Sequence, residues 1–203
     1  MADLLPLFPL EVVLFPGTPL PLHIFEPRYK EMIGECLAQK QAFGVVLVKE
    51  KALAKVGCSA EVTSLLKTYE DGRMDIMSHG ARRFEIRTLN QERSFLRGEV
   101  DFFDDDRDET PPRQQRERIT ELHRELLSLG TSDAAKPEAE HPHLAFHLAS
   151  SVPLDLDFKQ ALLVMRSEAE RIATMITYYD ALIPKLRIAL RARSKAGGNG
   201  HVA

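Results

Sequence analysis

Proline is the feature that most limits what this chain can fold into, and it is concentrated at the front. Pro6, Pro9, Pro16, Pro19, Pro21 and Pro27 stand among short apolar runs in the first segment. Each removes a backbone donor, so a strand carrying one cannot lie fully paired in the middle of a sheet. The runs at residues 4–7, 12–15 and 20–24 are therefore expected as short strands at the edges or bends of a barrel-like sheet, with Pro16-Gly17 as a turn pair. The same prolines, with Asp3 and Glu11 and no basic start, argue against a secretory leader. No apolar run approaches the length of a spanning helix. The expectation is a soluble, cytoplasmic protein with no membrane partner.

Pro27 is well placed as a first helical residue, because its missing donor would be unused there. Tyr29, Met32, Ile33, Cys36 and Leu37 then share one face, which predicts a helix over about 27–40. Residues 43–48 read as a buried strand. Residues 60–104 read as three longer antiparallel strands, the first two joined through Glu70-Asp71-Gly72-Arg73. At Asp104 an acidic stretch ending in two prolines marks a linker. Beyond it the periodicity is helical: around 119–129, 144–149 and 158–165, then a long stripe from Ile172 to Leu190 in which Pro184 should kink or break the helix. The expected organisation is a β-rich part over 1–110, a helical part over 111–195 and a disordered tail over 196–203. The fold class is α+β.

Motifs for chemistry are largely absent. The 203 residues contain no Gly-Lys dipeptide and hence no phosphate loop, no HExxH, no GxSxG and no GxGxxG. Cys36 and Cys58 are too sparse for a disulfide framework or a zinc site. His141, His143 and His147 lie near Glu138 and Glu140, with His143 and His147 four apart. Pro142 and the missing general base make a polar helix start the better reading than a metal site, so no metal and no cofactor are expected. Lys185, Arg187, Arg191, Arg193 and Lys195 crowd the last helix, but cations are normal there and no aromatic residue is interleaved to stack a base. With a formal net charge of −3, nucleic acid is not the expected partner.

The specific stretch runs from Leu7 to Val48. Phe8-Pro9-Leu10, Leu14-Phe15-Pro16-Gly17, the run Pro21-Leu22-His23-Ile24-Phe25-Glu26-Pro27-Arg28-Tyr29, and Phe43-Gly44-Val45 resemble the N-terminal substrate-binding domain of the ATP-dependent Lon protease. Gly57-Cys58, Asp71-Gly72-Arg73, and Gly80 with Arg82-Arg83-Phe84 continue the likeness to about residue 100. The resemblance implies a PUA-like β pseudo-barrel followed by a helical bundle. It implies a free-standing, non-catalytic module that binds peptide or protein, because the ATPase and protease modules of a full Lon have no counterpart here. Its partners would be unfolded or apolar polypeptide segments, and a protease or chaperone. The ligand would lie in the groove between barrel and helices, held by strand addition or side-chain pockets. His23, Phe25, Glu26, Arg28 and Tyr29 are the candidate binding residues, Phe25 and Tyr29 serving either as cleft wall or as a staple for the first helix. The alternative is an RNA-binding protein, since PUA-like folds also serve RNA.

Overall fold

A computed structural model of the chain describes residues 4–106, 110–130 and 140–197, with the side chains beyond residue 192 left aside. The chain forms two compact units, Met1–Asp105 with Pro153–Met165, and Asp106–Val152 with Arg166–Ala203. The class is α+β, as expected.

In the first unit, β1 (Leu5–Leu10), β2 (Pro19–Ile24), β3 (Phe43–Lys49), β4 (Ala52–Leu53), β5 (Val56–Thr68), β6 (Met74–Asn90) and β7 (Arg97–Phe103) make one mostly antiparallel sheet. It follows the order β1-β7-β6-β5-β3-β4, and a parallel pairing of β1 with β3 closes a partial ring. β1 thus holds two prolines in a strand with neighbours on both sides. This is possible because the two neighbours take different parts of it: Pro6 is paired only with β7, at Arg97, and Pro9 only with β3, at Val46, so each has one side without a strand. The run at 12–15 is not a strand. Leu14 and Phe15 turn inward as core residues instead, and Gly17 takes the turn with φ 74°. This segment crosses Gly80 at close range: a Cβ there would stand 2.1 Å from the Phe15 carbonyl oxygen, and only a glycine lets the two backbones meet.

Helix α1 (Pro27–Gln39) begins at the expected proline and buries Tyr29, Met32, Ile33 and Cys36. Lys40 ends it in the left-handed region at φ 53°. Helix α4 (Leu156–Val164) also belongs to this unit, which departs from the expected division at residue 110. The reason is a side chain no local pattern reveals. Arg83, a buried β6 residue, donates to the carbonyls of Leu163, 3.2 Å away, and Met165, and pairs with Asp105. Gln160 adds a bond to the Val56 carbonyl.

The second unit holds α2 (Arg113–Leu129), α3 (Leu144–Ser150) and α5 (Glu168–Gly197). Ile119, Leu122 and Leu126 of α2 and Ile172, Met175, Tyr179 and Ile183 of α5 are buried. Arg118 pairs with Asp180, and Arg187 with Glu125, so the two helices run in the same direction. α5 is not broken at Pro184, and contrary to expectation it takes in Ala196 and Gly197; the rest of the expected tail lies outside the described residues. None of the described helices is long and apolar enough to cross a membrane.

Candidate functional site

The polar residues of the N-terminal string separate into three settings. Tyr29 is core: its ring lies 4.0 Å from that of Phe8, and burial pushes its hydroxyl pKa up. It is the staple that holds α1 on the sheet. Glu26 and Arg28 are on the surface and pair with each other at 2.9 Å, the guanidinium lying 4.5 Å from the centre of the Tyr29 ring. His23 and Phe25 face outward at the end of β2, with Phe25 59% exposed and therefore no staple. Their rings stack at 6.0 Å.

Around His23 the sheet assembles a network that the N-terminal string could not disclose. The antiparallel register of β2 with β6 sets His23 opposite Asp75, and that of β5 with β6 sets Lys67 opposite the same residue. The His23 Nδ1 donates to Asp75 Oδ1 at 2.5 Å, and the Tyr69 hydroxyl donates to Oδ2 at 2.8 Å. These two bonds, the His23 one first, hold the Asp75 carboxyl below the usual carboxylate range. Tyr69 meets the His23 ring edge-on at 5.8 Å, with Lys67 and Arg73 within 5 Å of its own ring centre. With Nδ1 committed to Asp75, the other ring nitrogen of His23 is the one aimed away from the carboxylate.

From this cluster an edge leads along β5. β3 pairs with β5 only as far as Ala60, so among the described residues Glu61–Thr68 has β6 as its single strand partner. Two one-residue bulges, at Thr63 and Leu66, interrupt that pairing. A bulge re-aims the side chain it carries. Thr63 turns to the Met77 carbonyl at 3.1 Å, whereas Leu66 is 60% exposed and its neighbour Leu65 48% exposed. At the other end of the edge, where α1 ends, a recess of about 450 Å³ is lined by Cys36, Leu37, Lys40, Gln41, Ala42, Glu61 and Val62. Leu65-Leu66 within a polar run was the available sequence signal for this edge; its exposure was not.

The histidine cluster takes a different form from the one its spacing suggested. His143 is the residue before α3 rather than a member of it, and its backbone N–H donates to His141 Nδ1 at 3.1 Å. His141, not His143, stacks on His147, at 4.8 Å. Among the described residues no three His, Cys, Asp or Glu side chains converge as a metal site, and Glu138 lies outside them. Cys36 and Cys58 are buried free thiols.

The fold is that of Lon N-terminal domains. The crystal structure of a Lon N-terminal domain protein from Xanthomonas campestris matches 87% of this chain and 98% of its own, with a TM-score of 0.71 at 25% identity. The N-terminal domain of a Mycobacterium avium complex Lon protease shares the fold at TM-score 0.65 and 16% identity. The chain belongs to the family of ATP-dependent protease La (LON) substrate-binding domains, whose family model matches residues 4–179. Among curated relatives, the Lon protease of Anaeromyxobacter dehalogenans is 30% identical over 78% of this chain, and that of Parabacteroides distasonis 29% over 56%. The chain spans only 21% and 15% of these two enzymes. The matched part is their substrate-binding module.

Proposed function

We propose that this chain is a non-catalytic recognition module that takes extended, apolar segments of unfolded polypeptide along the exposed edge of β5. The observation that carries the reading is the run Glu61–Thr68, an exposed strand edge with Leu65 and Leu66 open to solvent. Such an edge offers a row of backbone donors and acceptors to any extended chain, whatever its sequence. Apolar side chains beside it favour segments that a folded protein would bury. His23 and Phe25 lie at the end of this sheet as a stacked pair that can receive an aliphatic or aromatic side chain, with the outward nitrogen of His23 left to meet a backbone group. Glu26 and Arg28 contribute a charged rim, and Tyr29 acts from within by fixing α1.

The test uses fluorescence anisotropy with a labelled, reduced and carboxymethylated protein as a permanently unfolded ligand. Leu66→Asp should weaken binding about tenfold or more, because it places a charge on the apolar strip, while the melting temperature stays within a degree or two of wild type. Wild-type protein that ignores the unfolded ligand and instead shifts a short RNA in a salt-dependent manner would overturn the proposal.

A further inference from the structure

His23 presents one ring nitrogen to solvent, and its partners decide what that nitrogen can bind. Asp75 accepts two bonds, from His23 Nδ1 at 2.5 Å and from the Tyr69 hydroxyl at 2.8 Å, which hold its carboxyl below the usual carboxylate range. An ionised carboxylate only accepts, so Nδ1 carries the ring proton and Nε2 of the neutral imidazole is an acceptor. Among the described residues nothing donates to Nε2, and the His23 side chain is half-exposed. Beside it the Phe25 ring lies 24° from parallel, with 6.0 Å between ring centres. Carbon atoms in contact are about 3.5–4 Å apart, so rings at this separation are displaced sideways, and much of the exposed phenyl face stays open.

A side chain that completes this site brings a flat apolar face together with a donor. Indole does so with an N–H that only donates, whereas a tyrosine hydroxyl carries lone pairs that meet no donor here. We propose that His23 and Phe25 form a site for tryptophan side chains of unfolded polypeptide, the indole N–H donating to His23 Nε2 and the ring lying against Phe25. Asp75 and Tyr69 are positioning residues that fix the tautomer. The surroundings favour a neutral ligand over a phosphate-bearing base: Arg28 pairs with Glu26, Arg73 pairs with Asp71, and Lys67 lies over the Tyr69 ring. The chain contains no tryptophan, so a second copy does not supply the ligand. The inference rests on the recognition reading for its polypeptide ligand but not on the β5 edge. β6 lies between β2 and β5, which sets the His23 backbone about 10 Å from that of β5, two strand spacings away.

The missing tryptophan also makes the assay direct, because all indole emission belongs to the ligand. The probes are a short peptide of serine and valine with a single tryptophan, and the same peptide with 1-methyltryptophan, which keeps the ring and loses the donor. Both are titrated at about pH 8 with wild type, His23→Phe and Phe25→Ala. Wild type should bind the tryptophan peptide about three- to tenfold more tightly than the methylated one, the range of one hydrogen bond. His23→Phe keeps a flat ring without the acceptor and should bind the two alike, at the weaker level, with an unchanged melting temperature. Phe25→Ala should weaken both peptides by a similar factor. Equal binding of the two peptides by wild type, a preference that survives in His23→Phe, no binding of the tryptophan peptide, or its displacement by adenosine at equal concentration overturns the inference. The carboxymethylated ligand and Leu66→Asp, run beside these, separate the claims: binding that still depends on Leu66 leaves the β5 reading standing and removes only the tryptophan site.

Discussion

Acid should dismantle the helical unit through one imidazole. His123 of α2 is 1% exposed and sits in a chain of hydrogen bonds with a single consistent proton arrangement. The Ser151 hydroxyl donates to the Leu148 carbonyl at 2.9 Å, so it can only accept from His123 Nε2 at 3.0 Å. Nδ1 must then accept from the Tyr179 hydroxyl at 3.1 Å. A second proton on Nδ1 would turn the Tyr179 hydroxyl from donor to acceptor, costing its proton this buried acceptor, and would place a charge out of water. Burial first, and His147 nearby second, push the pKa of His123 from 6.5 down to about 4. The unfolded chain therefore binds this proton more tightly than the folded one. Stability from the neutral ring is complete above pH 6.5 and is lost as pH falls toward 4. Each tenfold in proton affinity is about 1.4 kcal/mol, so the loss over that window is about 3 kcal/mol, a large share of an ordinary domain's stability. Carboxylates also titrate there, so the measurement is a difference: urea unfolding of wild type and His123→Gln at half-unit intervals from pH 7 to 4, followed by circular dichroism. The wild type should lose about 3 kcal/mol more than the variant over that range. Parallel pH profiles, or an NMR titration placing His123 near 6.5, would refute the reasoning.

Glu168 is the companion case without a titration. It pairs with Arg171, which is fully buried over the Phe146 ring at 4.2 Å, and its other oxygen accepts from the Ala145 N–H at 2.7 Å. Glu168→Ala removes one carboxylate from that buried guanidinium and the acceptor of the Ala145 N–H, and should cost about 1–3 kcal/mol by chemical denaturation. The two cysteines should be silent in the native protein: burial raises the thiol of Cys36 to about 11 and that of Cys58 to about 12, so at pH 8 neither forms appreciable thiolate. Ellman's reagent should then react only at the rate at which the protein opens, and prompt stoichiometric labelling would contradict the burial.

Much of this molecule is legible from its residues because the relevant physics is local. A proline that starts a helix, an apolar face at helical spacing and a glycine in a turn act through their immediate neighbours, and α1, β3 and the β5–β6 turn at Gly72 fall where the sequence sets them. The Lon-type motif residues likewise announced the family. Tertiary structure decided what depends on residues far apart in the chain. Whether residues 12–15 form a strand depended on Gly80 admitting the backbone at Phe15, and the assignment of α4 depended on Arg83, some eighty positions upstream. The polar residues of one continuous motif were likewise divided by what crosses them: Phe8 drew Tyr29 into the core, while the β2–β6 register gave His23 to Asp75 and Tyr69 on the surface. Spacing along a strand records which residues share a face. It cannot record which strand lies alongside, and that neighbour decides whether a histidine is buried, paired or presented.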